Sequence, residues 1–139
     1  MKRRAELLAL LARREQVRLS HAALRLRAAE QAEQEAAERI AHVERLLGEK
    51  RSAIGDTTCP AQLRALLIFG TALVAHETDC RIRGQSLAAA TQAAQLDLGS
   101  ADARSRIVDD RRATTARQVR AEIDESTHLV PSRPTARRV

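Results

Sequence analysis

Histidine, cysteine and serine are the side chains that most often do chemistry, and in this sequence they do not gather. His21, His42, His76 and His128 are scattered, and none stands in the HExxH arrangement that puts two zinc ligands on one helix face. Cys59 and Cys80 are 21 residues apart, with no CxxC pair and no Cys/His cluster at metal-ligand spacing. They are expected to be idle free thiols in a reducing compartment. There is no GxSxG elbow to expose a serine nucleophile and no Gly-rich loop to cradle a phosphate. The 18 carboxylates are interleaved with arginine, as on a solvated helix surface. The sequence therefore points to a protein that is not an enzyme, with no cofactor, no metal and no small-molecule substrate. A rod without a pocket has nowhere to exclude water.

The chemistry that remains is that of charge. The chain of 139 residues has a net charge of +6, carried by 22 arginines and two lysines. Guanidinium binds carboxylate and phosphate in a bidentate fashion, so an acidic partner is one expectation and a solvated surface the other. Nucleic acid is disfavoured. The arginines alternate with Glu and Asp, the chain has one Phe and no Tyr or Trp to stack bases, and no basic block precedes the heptads. Arg133, Arg137 and Arg138 near the C-terminus would be the best phosphate contacts. A basic coiled-coil scaffold or nucleic-acid module stays as the alternative.

The elements that must position these charges are helices. Ala, Leu, Arg, Glu and Gln dominate, and all are strong helix formers. From Ala5 to Leu47, one row in sevens runs Ala5, Ala12, Leu19, Leu26, Glu33, Ile40, Leu47. The second row runs Leu8, Glu15, Ala22, Ala29, Ala36, Val43. Eleven of these thirteen positions are apolar, Glu15 and Glu33 being the exceptions. A stripe with period 3.5 needs a partner helix along its length. The first helix is expected over about 3–49. Gly48, Gly55, Asp56, Thr57, Thr58 and Pro60 then break the pattern, giving a turn over about 50–59. Pro60 suits a first helical turn with Thr58 or Cys59 near the N-cap. The second helix, about 60–128, has a row Leu66, Leu73, Cys80, Leu87, Ala94, Ala101, Val108. Gly70, Gly84 and Gly99 weaken it, and Leu98-Gly99-Ser100 is where a kink is expected. The fold class that follows is all-α: an elongated antiparallel two-helix coiled-coil hairpin over 1–130, with a disordered basic C-terminal tail over 131–139. The basic N-terminus is broken by Glu6 and Arg13-Arg14-Glu15 too early for a signal sequence, and the apolar run Ala61 to Ala75 contains Arg64 and is too short to span a membrane. A cytoplasmic location is expected. That run holds Phe69, the one aromatic residue, and is apolar nearly all round, so it either thickens the core or docks a partner.

This layout resembles that of the small stalk proteins of type III secretion export ATPases, the flagellar FliJ and injectisome YscO type. The matching features are the Leu-rich start with its charged cluster, LLALLARREQ, the Ala-rich heptad helix, the mid-chain breaker turn, and a longer second helix ending in Glu122-Ile123-Asp124-Glu125 before a basic tail. The resemblance implies a central stalk, peripherally associated with the inner-membrane secretion apparatus. The open end of the hairpin would insert into a hexameric export ATPase through Arg3, Arg4, Arg13, Arg14, Asp124 and Glu125. The tip would meet the export-gate membrane protein, and secretion chaperones, through Phe69, Leu73 and Cys80 facing His42 and Leu46. Such a protein would stimulate or assemble the ATPase and hydrolyse nothing itself.

Overall fold

The computed structural model describes residues 2–128, with side chains from Arg3 onward. The expected tail at 131–139 lies outside the described residues. Two helices account for all of the described chain but three residues: α1 (Lys2–Asp56) and α2 (Pro60–His128), joined by Thr57, Thr58 and Cys59. They pack antiparallel as an all-α two-helix hairpin. No described helix is long and apolar enough to cross a membrane.

Helix α1 forms as its heptads require. All thirteen a/d positions from Ala5 to Leu47 are buried or half-buried, the two glutamates included. The helix does not stop near residue 49, as Gly48 suggested, but runs on to Asp56. Lys50, Ala53 and Ile54 are half-buried there and carry the seam forward. That packing outweighs the loss of about 1 kcal/mol that each helical glycine brings relative to alanine. The last turn is closed by Thr57, whose hydroxyl donates to the Ala53 carbonyl at 2.7 Å. The connection is therefore three residues long, not ten.

Helix α2 begins at Pro60, and the Cys59 carbonyl accepts its first backbone hydrogen bond from Leu63 N–H at 3.0 Å. The backbone stays helical through Gly70, Gly84 and Gly99, without the break expected at 98–100. Its expected seam row, Leu66 to Val108, is buried or half-buried throughout. The companion row is Leu63, Gly70, Glu77, Gly84, Thr91, Leu98, Ser105, and it also faces inward. A Cβ at Gly84 would lie 3.3 Å from Ile40 Cδ1, and one at Gly70 would collide with the end of the Lys50 side chain. Two of the three glycines thus occupy seam positions where a larger residue would press on α1. Thr91 is buried, but its hydroxyl donates to the Leu87 carbonyl at 3.1 Å, so no donor is stranded.

Within the hairpin the chain divides into two compact units. One is continuous, His21–Gly99; the other combines Met1–Ser20 with Ser100–Val139. The seam changes character between them. In the continuous unit four apolar side chains, Ala22, Ala36, Val43 and Leu73, are buried, with Gly70 and one polar residue, Thr91. Among the described residues of the two-ended unit, those buried are Glu15, Ser105, Thr115 and one small apolar residue, Ala101.

Candidate protein-docking surfaces

In the two-ended unit the face of α1 opposite the seam carries its own pattern. Arg3, Leu7, Leu10, Arg14 and Val17 follow one another at steps of four, three, four and three, and so share one face. Leu7, Leu10 and Val17 are 62%, 61% and 55% exposed, with Leu11 at their edge. Arg4 and Arg13 flank this stripe, each over a shallow groove. The first groove, about 480 Å³, is lined by Leu8, Asp110, Arg111, Thr115 and Gln118 besides Arg4. The second, about 240 Å³, is lined by Ala12, Gln16, Asp109 and Arg112 besides Arg13. Arg3, Arg4, Arg13 and Arg14 are exposed and form no ion pair with a described carboxylate. Their charge is left for solvent or a partner.

Asp124 and Glu125 belong to the same unit but do not pair with those arginines. Every side chain from Arg120 to His128 is exposed. The Ile123 carbonyl accepts from the hydroxyls of Ser126 at 2.8 Å and Thr127 at 2.6 Å, which turns both hydroxyls back onto their own helix. Ile123 is 56% exposed between the two acidic residues and Glu122.

In the continuous unit the five tip residues do not make one surface. Leu73 is 7% exposed and belongs to the core, so it offers a partner nothing. Leu46 and Cys80 are half-buried at the seam, with Cys80 Sγ 3.6 Å from His76 Nε2. His42 is exposed, its Nδ1 3.4 Å from an Arg45 guanidinium nitrogen. Phe69 is half exposed. Instead, a groove beside the seam sets Cys80 among charged residues that carry no motif in the sequence. Glu35, Arg39, His76, Asp79, Cys80 and Arg83 line a space of about 340 Å³. A second space of about 390 Å³ shares Glu35, Arg39 and His76 and adds Glu38 and His42. The legible signal was His76, seven residues after Phe69 and four before Cys80. The groove mixes both signs of charge, and no three described His, Cys, Asp or Glu residues converge to hold a metal. Nearby, Arg81 bridges Glu77 at 2.7 Å and Glu44 of α1 at 2.9 Å, across the seam.

Cys59 is exposed at the start of α2. The backbone N–H groups of Gln62 and Ala61 donate to its sulfur and hold the thiol below its ordinary pKa. In comparisons with protein-family models, curated proteins and solved structures, nothing matches this chain. What the chain does therefore follows from the chemistry of these surfaces.

Proposed function

We propose that the chain is a non-catalytic stalk component of a type III protein secretion system. Its two-ended unit engages the hexameric export ATPase. Its continuous unit links that ATPase to the export-gate membrane protein and to secretion chaperones, through exposed residues such as Phe69 and His42. The observation that carries this is the outward stripe Arg3, Leu7, Leu10, Arg14, Val17, whose arginines form no ion pair with a described carboxylate and whose aliphatic side chains are exposed. Such a stripe suits an apolar groove with an acidic rim. The aliphatic side chains supply anchors that gain by desolvation, and the arginines steer the encounter and fix register.

A helix pair has no six-fold symmetry, so six identical ring subunits would meet it differently. Subunits in the state that fits the stripe better are stabilised, and the ring's equilibrium shifts without any nucleotide bound by the stalk. Stimulation of hydrolysis, assembly of the hexamer, or both, is the expected output. The alternative, a basic scaffold or nucleic-acid module, draws on Arg111 and Arg112 beside Arg4 and Arg13. Asp109 and Asp110 line the same grooves and would repel phosphate there.

The test is ATP hydrolysis by the export ATPase of the source organism, with and without this protein, with hexamer fraction measured by mass. The wild-type chain should raise one or both. Leu10→Asp and Arg14→Glu should each weaken the effect by about tenfold or more in apparent affinity, because each removes an interfacial anchor or inverts a rim charge. No change in rate, no change in hexamer fraction and no co-elution would overturn the proposal.

A further inference from the structure

The outer face of α2 in the continuous unit is organised in a way that its packing on α1 does not require. Every seventh residue from Ala61 is apolar and exposed: Ala61, Ile68, Ala75, Ile82, Ala89, Leu96. Ile68, Ile82 and Leu96 are 73%, 61% and 76% exposed. The row lies opposite the seam, where a two-stranded hairpin ordinarily places charge. Small and large side chains alternate along it without exception. A period of seven held over five intervals suits a partner that is itself a helix lying along α2.

We propose that the occupant is α2 of a second copy, running antiparallel. The alternation is self-complementary in that orientation, because a two-fold axis between a small and a large position sets every small residue against a large one. Each of the five intervals along the row offers such an axis. The central one, where Ala75 meets Ile82, falls between Thr78 and Asp79 and brings the two Asp79 carboxylates side by side. One interval further on, Ile82 meets Ala89 and Ala75 meets Leu96, with the axis between Gln85 and Ser86. Asp79 then lies beside Gln92 and Ala93 of the other copy, and no like charges meet. One interval back, with the axis between Thr71 and Ala72, Asp79 lies beside Arg64, but only residues 60–83 overlap, against 72–99 for the axis at Gln85 and Ser86. Like charge disfavours the central register, and length of overlap selects the one at Gln85 and Ser86.

The residues flanking the row allow close approach. On one side are Ala72, Asp79, Ser86 and Ala93, and on the other Thr71, Thr78, Gln85 and Gln92, so Asp79 is the one charge among them. Overlap of residues 72–99 gives a contact of about 40 Å by about 10 Å per copy, so about 800 Å² in total. That is the size of a weak, concentration-dependent dimer, not an obligate one. This self-association does not rest on the stalk function, and its test does not use the ATPase.

The experiment is sedimentation of the full chain under reducing conditions, at about 10 to about 500 µM, the range expected for so small an interface. A reversible monomer–dimer equilibrium is expected. Ile82→Asp should weaken it at least tenfold with helicity unchanged, since Ile82 is not in the hairpin core. Register is read by disulfide trapping in a Cys59→Ser, Cys80→Ala background. Ser86→Cys should cross-link across the axis on mild oxidation, while Asp79→Cys should not. A chain that stays monomeric at the highest concentration overturns the proposal and leaves the row for a helix of another protein. A dimer indifferent to Ile82→Asp, or trapped through Asp79→Cys and not Ser86→Cys, overturns the seam or its register respectively.

Discussion

The two units are built on one pair of helices yet differ in how apolar a core they close on. In His21–Gly99 the seam buries Ala22, Ala36, Val43 and Leu73, and small residues of α2 let the helices approach. In the unit formed from the two ends, Glu15 takes a core position. One of its carboxylate oxygens is 3.1 Å from Arg18, and the other is buried without a hydrogen-bond partner among the described residues. Ser105 and Thr115 are buried in the same unit. Burial of aliphatic surface is the main term that stabilises a helix pair, so the two-ended unit is the weaker one. It is also the unit whose outward face carries the uncovered Leu/Arg stripe. A weakly self-satisfied segment with exposed anchors is suited to be completed by a partner.

The contrast can be broken most sharply from the strong side. Leu73→Ala removes the one large aliphatic residue of α2 that is buried in the continuous unit, and should cost about 2–3 kcal/mol. The thermal midpoint by circular dichroism should fall, and amide exchange across residues 21–99 should accelerate. If exchange there is unchanged, the core does not lie where the burial places it. From the weak side, Glu15→Leu should stabilise the two-ended unit by about 1–2 kcal/mol, because it replaces a stranded carboxylate with an apolar side chain of similar length. Slower exchange confined to residues 2–20 and 100–128 would bear this out, and destabilisation would mean that Glu15 has a partner in solution. The smallest effect separates two glycines. Gly99→Ala adds a methyl into open space and should gain close to 1 kcal/mol of helix propensity. Gly84→Ala should gain much less, because its methyl would press on Ile40 Cδ1. Equal gains at both sites would show that the seam at Gly84 is looser than its geometry.

The fold was legible because the helix that dominates it is written in side chains that pattern analysis recognises. Every heptad position assigned in α1 faces the seam, even Glu15 and Glu33, since period outweighs the identity of a single residue. The C-terminal end of α1 was not legible, because Gly48 and Gly55 read as breakers until the burial of Ile54 is known. Half of the α2 seam was hidden for a related reason. Gly70, Gly84, Thr91 and Ser105 count as polar or helix-weakening in sequence, whereas between closely approaching helices they are the residues that fit. The site was less legible than the fold. Arg3, Arg4, Arg13 and Arg14 are exposed, but Leu73, which the heptad row set in the seam and the family resemblance set on a docking surface, is 7% exposed and follows the heptad row. The stripe through Leu7, Leu10 and Val17 was masked by the denser seam that runs beside it in the same Leu-rich segment.

The way the chain divides also fixes an order in time. The continuous unit is fully encoded once residue 99 has been made, and its two halves are already joined by a three-residue turn. The other unit needs both ends of the chain, so its first strand of sequence, ending at Ser20, waits while about eighty more residues are added. At a synthesis rate of about 5–20 residues per second that wait lasts several seconds. Throughout it the segment that ends at Ser20 shows its inward stripe as well as its outward one. The earliest partner to meet this protein therefore meets a segment with two open apolar faces, and the finished molecule offers only one of them.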